Sequence, residues 1–171
     1  KKMTVVSPLV GSGLLAHRGA SLIRPENTLE SVIQAAEMGA SWIETDVQIT
    51  QDNELVMIHD VKLDRTTNGH GYVAMTDLEA IRNLDAGSWM DQRFSGLVAP
   101  TLKEFIKTIC DLGLNLQLEL KEMPGREEEL VELVCNELED YWPMDGPSKL
   151  FISGFSERCL RLVGKQLPHY P

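Results

Sequence analysis

Short apolar runs with ionisable side chains at or near their ends constrain this chain more than any other feature of its sequence. Four runs share the pattern, at residues 14–18, 42–47, 55–60 and 116–121. Charged or imidazole groups inside strand-like apolar segments cost free energy unless they are paired, metal-bound or used in chemistry. One such group carries little information. Four strands with the same pattern predict a shared site at one edge of a sheet.

The apolar runs alternate with segments at helical spacing. This alternation favours parallel strands joined by crossover helices, and strands that are apolar on both faces indicate a sheet covered by helices. Asn27 followed by Glu30 is a capping signal for the first helix, and Gly39 is a typical C-terminal stop. Strands are predicted at 14–18, 42–49, 55–59, 115–121 and 149–155, and helices at 28–38, 101–112, 126–141 and 157–166.

Residues 60–100 interrupt the alternation. The stretch holds a strong turn signal at 67–72 and a short helical pattern around 77–84. A connection of this length inside a compact domain is usually functional or a small insertion. We therefore predict one domain over residues 1–171 with a small insertion at 60–100, called the insertion below.

Length and charge limit the possible functions. A chain of 171 residues can bury a substantial core, and its net charge of −10 argues against a general nucleic-acid binder, which needs a basic face. No apolar stretch approaches the roughly 20 residues of a membrane span, so stable membrane insertion is not expected. Residues 1–7 lack the apolar core and cleavage site of a signal peptide. We expect a cytoplasmic protein, although a signal peptide already removed would leave no trace, and the sequence does not indicate an oligomeric state.

Two strands carry carboxylates at strand spacing. Glu44 and Asp46 lie two residues apart, so both side chains project from the same face. Like charges that close raise one another's pKa unless a cation lies between them. Glu119 and Lys121 repeat the spacing on a later strand, where Glu119 could supply a third oxygen ligand. An all-carboxylate set favours a hard cation, Mg²⁺ or Ca²⁺, over Zn²⁺.

Two histidines end strands of the same group. A lone histidine at a strand end is more often a hydrogen-bonded core residue, but His17 and His59 together, beside the carboxylates, favour a general acid–base pair. Arg18 and Lys121 either hold phosphate oxygens or form ion pairs with the carboxylates, and both alternatives remain open. Gly19, which follows Arg18, would let the backbone approach a ligand closely.

The sequence resembles the glycerophosphodiester phosphodiesterase family in these residues and in several neighbouring motifs. The motifs occur in family order, and a weaker match continues at 153–155. The matching stretches are 17–20, 25–28, 44–47, 59–60, 63–69, 85–89, 100–102 and 119–121.

The resemblance implies an α/β fold, a TIM (β/α)8 barrel with a small insertion after the third strand. About the first five strand–helix units are present. Because a closed barrel needs roughly 250 residues, we expect about three further units outside this sequence. The implied site has a divalent cation at Glu44, Asp46 and Glu119, an acid–base pair at His17 and His59, and phosphate binding at Arg18 and Lys121.

The implied activity is metal-dependent hydrolysis of a small glycerophosphodiester to glycerol 3-phosphate and an alcohol. We favour His17 as the base and His59 as the acid, an order that the sequence does not force. Two alternatives are a lysophospholipase D or sphingomyelinase-like lipid phosphodiesterase and a non-catalytic phosphodiester-binding domain. The first would need an apolar groove for acyl chains, and no aromatic cluster in the sequence demands one. A degenerate relative would be expected to lose a carboxylate or histidine, and this chain keeps them all.

Overall fold

A computed structural model describes residues 13–169, so the predicted absence of a signal peptide at residues 1–7 lies outside the described residues. The predicted strands and helices are all present, with ends within two residues of the prediction. The strands are β1 (Leu15–His17), β2 (Trp42–Ile49), β3 (Leu55–Met57), β4 (Asn115–Leu120) and β5 (Leu150–Gly154). The helices are α1 (Leu29–Glu37), α2 (Leu78–Arg82), α3 (Leu102–Asp111), α4 (Glu127–Tyr141) and α5 (Glu157–Gln166).

Four strands form a parallel sheet in the order β1-β2-β4-β5. Each of these strands leads, directly or through the insertion, into a helix, as in consecutive units of a TIM barrel. The α/β fold class predicted from the sequence is therefore confirmed. The register places His17 opposite Glu44 and Asp46 opposite Glu119, which aligns the polar positions of three neighbouring strands.

We predicted that all strands would be parallel, and strand β3 differs from this prediction. It pairs antiparallel with β2, with Met57 opposite Val47 and Leu55 opposite Ile49. The physical reason is the connection at residues 50–54, which is far shorter than the dozen or more residues that a parallel crossover needs. Thr50 closes this turn, since its hydroxyl accepts a hydrogen bond from the Glu54 amide at 3.0 Å. Residues 13–169 therefore contribute four parallel barrel strands, one fewer than the five strand–helix units that we expected, and β3 is the second arm of a hairpin that leads into the insertion.

The sheet and helices enclose the main core. All eight residues of β2 are buried, and α3 packs Phe105, Ile106 and Ile109 against the sheet. A second, smaller apolar cluster is formed by β3 and the segment after it, at Val56, Ile58, Leu63, Val73, Ile81 and Ala99. This separate cluster supports the division of the chain at residues 60–100, which stays a prediction. Among residues 13–169, no helix combines the length and apolarity that crossing a membrane would require.

The start of α1 corrects one detail of the prediction. Thr28, not Asn27, is the N-cap, because its hydroxyl accepts a hydrogen bond from the Ser31 amide at 3.2 Å. Asn27 has a φ of 57° and contacts β2 instead. Gly39 ends the helix as predicted, with a φ of +87° that favours glycine.

Candidate active site

The three predicted cation ligands converge on one side of the neighbouring strands β2 and β4. One carboxylate oxygen of each of Glu44, Asp46 and Glu119 lies within 4.8 Å of the other two. Strand alternation brings the first two together, and the register of β2 with β4 adds the third. Glu44 is 4% exposed and Asp46 is 1% exposed, whereas Glu119 is half-buried, so two of the three carboxylates lie in the protein interior.

The electrostatics of this acidic cluster fit a bound cation. Burial, followed by the negative charges of Asp46 and Glu119, raises the pKa of Glu44 to about 7, although the amide and guanidinium of Arg18 oppose the shift. Asp46 Oδ1 is buried without a hydrogen-bond partner. A buried carboxylate oxygen is costly unless it is compensated, and three such oxygens are a donor set that Mg²⁺ or Ca²⁺ prefers. The residues present could therefore hold a divalent cation.

Two cationic side chains contact the acidic cluster. Lys121 Nζ lies 2.8 Å from Glu119 Oε1 and 3.5 Å from Asp46 Oδ1. Arg18 Nε lies 3.4 Å from Asp46 Oδ2, and the Arg18 amide donates a hydrogen bond to Glu44 Oε2 at 3.3 Å. Burial tends to lower the pKa of Lys121, but the two carboxylates outweigh it and the pKa is raised. The ion-pair alternative is thus observed, while phosphate binding by Arg18 and Lys121 stays a prediction.

The backbone around Arg18 is unusual. Arg18 has a φ of 59°, a left-handed conformation that is rare for residues other than glycine and asparagine and that concentrates at functional sites. Gly19 follows with a φ of +79°, and a Cβ built there would lie 2.3 Å from Ser31 Oγ. Gly19 is therefore required for close packing against α1, which is a different reason from the close approach to a ligand that we predicted.

The two predicted acid–base histidines occupy different positions relative to the acidic cluster. His17 Nε2 lies 3.6 Å from Glu44 Oε2, and the His17 side chain is 63% exposed. His59 Nδ1 lies 2.7 Å from Asp60 Oδ1, and its side chain is 30% exposed. His59 lines a narrow cavity together with Glu26 and Asn27, and Asn27 in turn contacts Asp46 of the acidic cluster.

From the sequence, Asn27 was predicted only to cap a helix. In the structure its side chain instead contacts two residues of β2. The side chain is buried, and its Nδ2 donates a hydrogen bond to Asp46 Oδ2 at 3.0 Å. Its Oδ1 accepts a hydrogen bond from Thr45 Oγ1 at 2.8 Å. Asn27 thus fixes the orientation of Asp46 and occupies one of its oxygens. The sequence signal was an asparagine directly before the N-cap, a residue type that tolerates the left-handed conformation.

Glu26 and Arg65 were also missed as site residues. Glu26 accepts hydrogen bonds from Arg18 Nη1 at 3.0 Å and from Arg65 Nη1 and Nη2 at 2.8 Å each. Burial opposes ionisation of Glu26, but the two guanidinium groups outweigh it and lower the pKa of Glu26. Arg65 lies within the matching stretch 63–69, so the motif contained this residue without indicating what it contacts.

Comparison with known proteins supports the family resemblance found in the sequence. Residues 17–171 match the model of the glycerophosphoryl diester phosphodiesterase family. The chain is 41% identical over 160 residues to a glycerophosphodiester phosphodiesterase of Caldanaerobacter subterraneus, covering 91% of this chain and 63% of that protein. A Bacillus subtilis glycerophosphodiester phosphodiesterase is 38% identical, with 92% of this chain and 57% of that protein covered.

Solved structures similar to this chain include phosphodiesterases of the same kind. A phosphodiesterase of Oleispira antarctica, solved in complex with the product sn-glycerol 3-phosphate, matches with a TM-score of 0.88 and 39% identity, covering 91% of this chain and 62% of that one. A glycerophosphodiester phosphodiesterase of Agrobacterium tumefaciens matches with a TM-score of 0.76 and 33% identity, covering 91% of this chain and 63% of that one. The chain spans between half and two thirds of the length of the curated relatives named above.

Proposed function

The chain belongs to the glycerophosphoryl diester phosphodiesterase family, and on that premise we propose that the protein hydrolyses glycerophosphodiesters to glycerol 3-phosphate and an alcohol, with Mg²⁺ or Ca²⁺ as cofactor. The observation that carries the proposal is the acidic cluster of Glu44, Asp46 and Glu119, two of them buried, with Arg18 and Lys121 beside it. The glycerol 3-phosphate bound by the Oleispira antarctica relative supports the identity of the product.

The acidic cluster would hold the cation, which supplies Lewis-acid stabilisation of negative charge on a phosphoryl oxygen. Arg18 and Lys121 lie against the same carboxylates, so a phosphodiester that reaches the cluster also comes within reach of both cations. Their charges would stabilise the additional negative charge that develops on phosphorus oxygens as the attacking oxygen adds. Asn27 would contribute indirectly, by holding Asp46 in one orientation.

The histidines would move the protons. His17, with Glu44 Oε2 at 3.6 Å, is suited to accept a proton because a neighbouring carboxylate stabilises the imidazolium that forms. His17 would take the proton of the attacking oxygen as this oxygen bonds to phosphorus. If the oxygen comes from water, glycerol 3-phosphate forms directly; if it comes from the substrate's own hydroxyl, a cyclic phosphate forms and a water molecule must open it in a second step to give glycerol 3-phosphate. The bond from phosphorus to the alcohol oxygen breaks, and His59 would donate its proton to that leaving alkoxide.

The test is product analysis with the full-length gene product on glycerophosphocholine, in Mg²⁺ or Ca²⁺ and with an EDTA control. We expect glycerol 3-phosphate and choline, with turnover lost in EDTA. Glu119→Gln removes one charge from the acidic cluster and should lower turnover by about a hundredfold or more. Glu132→Gln is the matched control, because Glu132 is exposed on α4.

Three outcomes would contradict parts of the proposal. Wild-type rates in Glu119→Gln would reject the assignment of Glu119 to the cation. Hydrolysis of lysophosphatidylcholine without hydrolysis of any glycerophosphodiester would favour the lipid phosphodiesterase alternative. Binding of glycerophosphodiesters without turnover, in either cation, would favour the binding-domain alternative.

A further inference from the structure

We propose that Arg65 is a positioning residue that, through Asp60, fixes which ring nitrogen of His59 exchanges a proton with the substrate. The inference rests on the proposed function, because it assigns to His59 a proton transfer in that reaction. Arg65 lies in the insertion, and it is neither a predicted cation ligand nor a predicted phosphate-binding residue.

The contact between Asp60 and His59 determines the tautomer. Asp60 Oδ1 lies 2.7 Å from His59 Nδ1, and an ionised carboxylate can only accept hydrogen bonds. Nδ1 must therefore carry a hydrogen in both charge states of the ring. The neutral ring then has an unprotonated Nε2, and the imidazolium has a proton on Nε2 to donate. Only Nε2 is left to exchange a proton with a substrate.

Arg65 holds Asp60 in the state and orientation that this requires. Arg65 Nε donates to Asp60 Oδ2 at 2.8 Å, and Nη2 donates to Oδ1 at 2.8 Å, which is a bidentate pair. These bonds, followed by that from His59, lower the pKa of Asp60 below its ordinary value, although its partial burial opposes this. Because Oδ1 accepts from both Arg65 and His59, the plane of the carboxylate cannot turn without breaking one of these bonds.

The other side of the guanidinium explains why Arg65 itself stays in place. The side chain is 43% exposed, yet Nη1 and Nη2 also donate to both carboxylate oxygens of Glu26 at 2.8 Å. Glu26 is in turn fixed by Arg18 Nη1 at 3.0 Å. All three guanidinium nitrogens are thus engaged in two bidentate pairs that join the insertion to the loop after β1. A lysine has the charge but not the planar fork, so it cannot replace this geometry.

The charged groups around His59 define what removal of Arg65 should do. Asp60 contacts the ring, Glu26 lines the same cavity, and Arg65 is the cation between the two carboxylates. Arg65→Gln leaves both carboxylates without that cation, and Asp60, about one third exposed, becomes free to turn towards water. His59 Nδ1 then loses its fixed acceptor, and the neutral ring divides between its two tautomers.

The kinetic test compares two leaving groups in the full-length protein. With glycerophosphocholine, whose choline alkoxide needs a proton, Arg65→Gln should lower kcat by about tenfold or more. With a p-nitrophenyl ester of glycerol 3-phosphate, whose phenolate does not need the acid, the loss should be below about threefold. Arg65→Lys should not restore the kcat on glycerophosphocholine. Arg93→Gln, which removes the same charge from another carboxylate-paired arginine of the insertion, should match the wild type on both substrates.

A double-mutant cycle and a spectrum complete the test. In an Asp60→Asn background, Arg65→Gln should lower kcat less than about twofold further, since Arg65 acts through Asp60. In ¹⁵N NMR, the neutral His59 ring should be a single Nδ1–H tautomer in the wild type and a mixture in Arg65→Gln. Equal losses on both substrates, full rescue by lysine, an undiminished loss in the Asp60→Asn background, or an unchanged His59 spectrum would each overturn the inference. The spectrum needs no turnover, so it tests the inference even if the proposed function fails.

Discussion

Glu137 on α4 is a half-buried carboxylate outside the candidate active site, and we expect its replacement to stabilise the protein above neutral pH. Its Oε2 atom is buried without a hydrogen-bond partner. Burial, followed by the negative charge of Glu54, raises the pKa of Glu137 to about 7, although the Lys103 amide and ammonium oppose the shift. Glu137→Gln keeps the shape of the side chain and removes the charge.

The size and pH range of the effect follow from this shift. Below pH 4.5 the carboxyl is protonated in both the folded and unfolded states, so the charge costs nothing. Between pH 4.5 and about 7 the unfolded state loses its proton first, so the free energy of unfolding falls as the pH rises. Above about pH 7 the full cost applies, with an upper limit of about 3.5 kcal/mol at about 1.4 kcal/mol per pKa unit. For a protein of this size the cost corresponds to at most roughly 7–14 °C in Tm.

Urea unfolding of the full-length protein and its Glu137→Gln variant at pH 5 and pH 8 measures this difference. The stabilisation should be small at pH 5 and approach its maximum at pH 8. Glu139→Gln is the control, since Glu139 is exposed on the same helix and its replacement should change stability by less than about 0.5 kcal/mol. A gain of equal size at both pH values, or a loss of stability at pH 8, would refute the reasoning.

Two further predictions concern residues that shape the site. Gly19→Ala should destabilise by about 2–4 kcal/mol, because it adds a clash with Ser31 to an unfavourable positive φ. Gly39→Ala has the positive φ without a neighbour within 4 Å and should cost only about 1 kcal/mol, so similar thermal melts for the two variants would argue against the clash. Asn27→Ala should weaken Mg²⁺ or Ca²⁺ binding by about 10–100-fold in calorimetric titrations, and unchanged affinity would mean that Asn27 does not orient Asp46.

Local sequence patterns were sufficient to predict the elements of the fold, and insufficient for one strand direction. Apolar periodicity and glycine stops depend on neighbouring residues only, so helices such as Leu102–Asp111 were predicted within one residue of each end. The direction of β3 depends on how its connection closes. The connection at residues 50–54 is too short for a parallel crossover, but the prediction gave the general alternation of strands and helices more weight than the length of this connection.

The candidate active site was likewise predictable in part, where local sequence patterns determine the geometry. The shared face of Glu44 and Asp46 follows from strand geometry alone, whereas the position of Glu119 beside them depends on a strand pairing that only the family resemblance supplied. The bidentate pair between Glu26 and Arg65 joins residues 39 positions apart, and no local pattern encodes such a contact. Glu26 lies in the matching stretch 25–28, and nothing in that stretch indicates the arginine that it contacts.

The charges of the candidate site account for why cation and substrate should bind together. The three carboxylates of the acidic cluster face Arg18 and Lys121, which leaves one net negative charge when all are ionised. That charge repels a phosphodiester monoanion. Burial is the main reason why the pKa of Glu44 is raised, and the negative charges of Asp46 and Glu119 add to the effect. With a divalent cation bound, the net charge becomes positive by one unit, and a single phosphodiester anion neutralises it. Each ligand therefore removes the electrostatic cost of binding the other, and by linkage the diester should tighten cation binding by the same factor as the cation tightens diester binding.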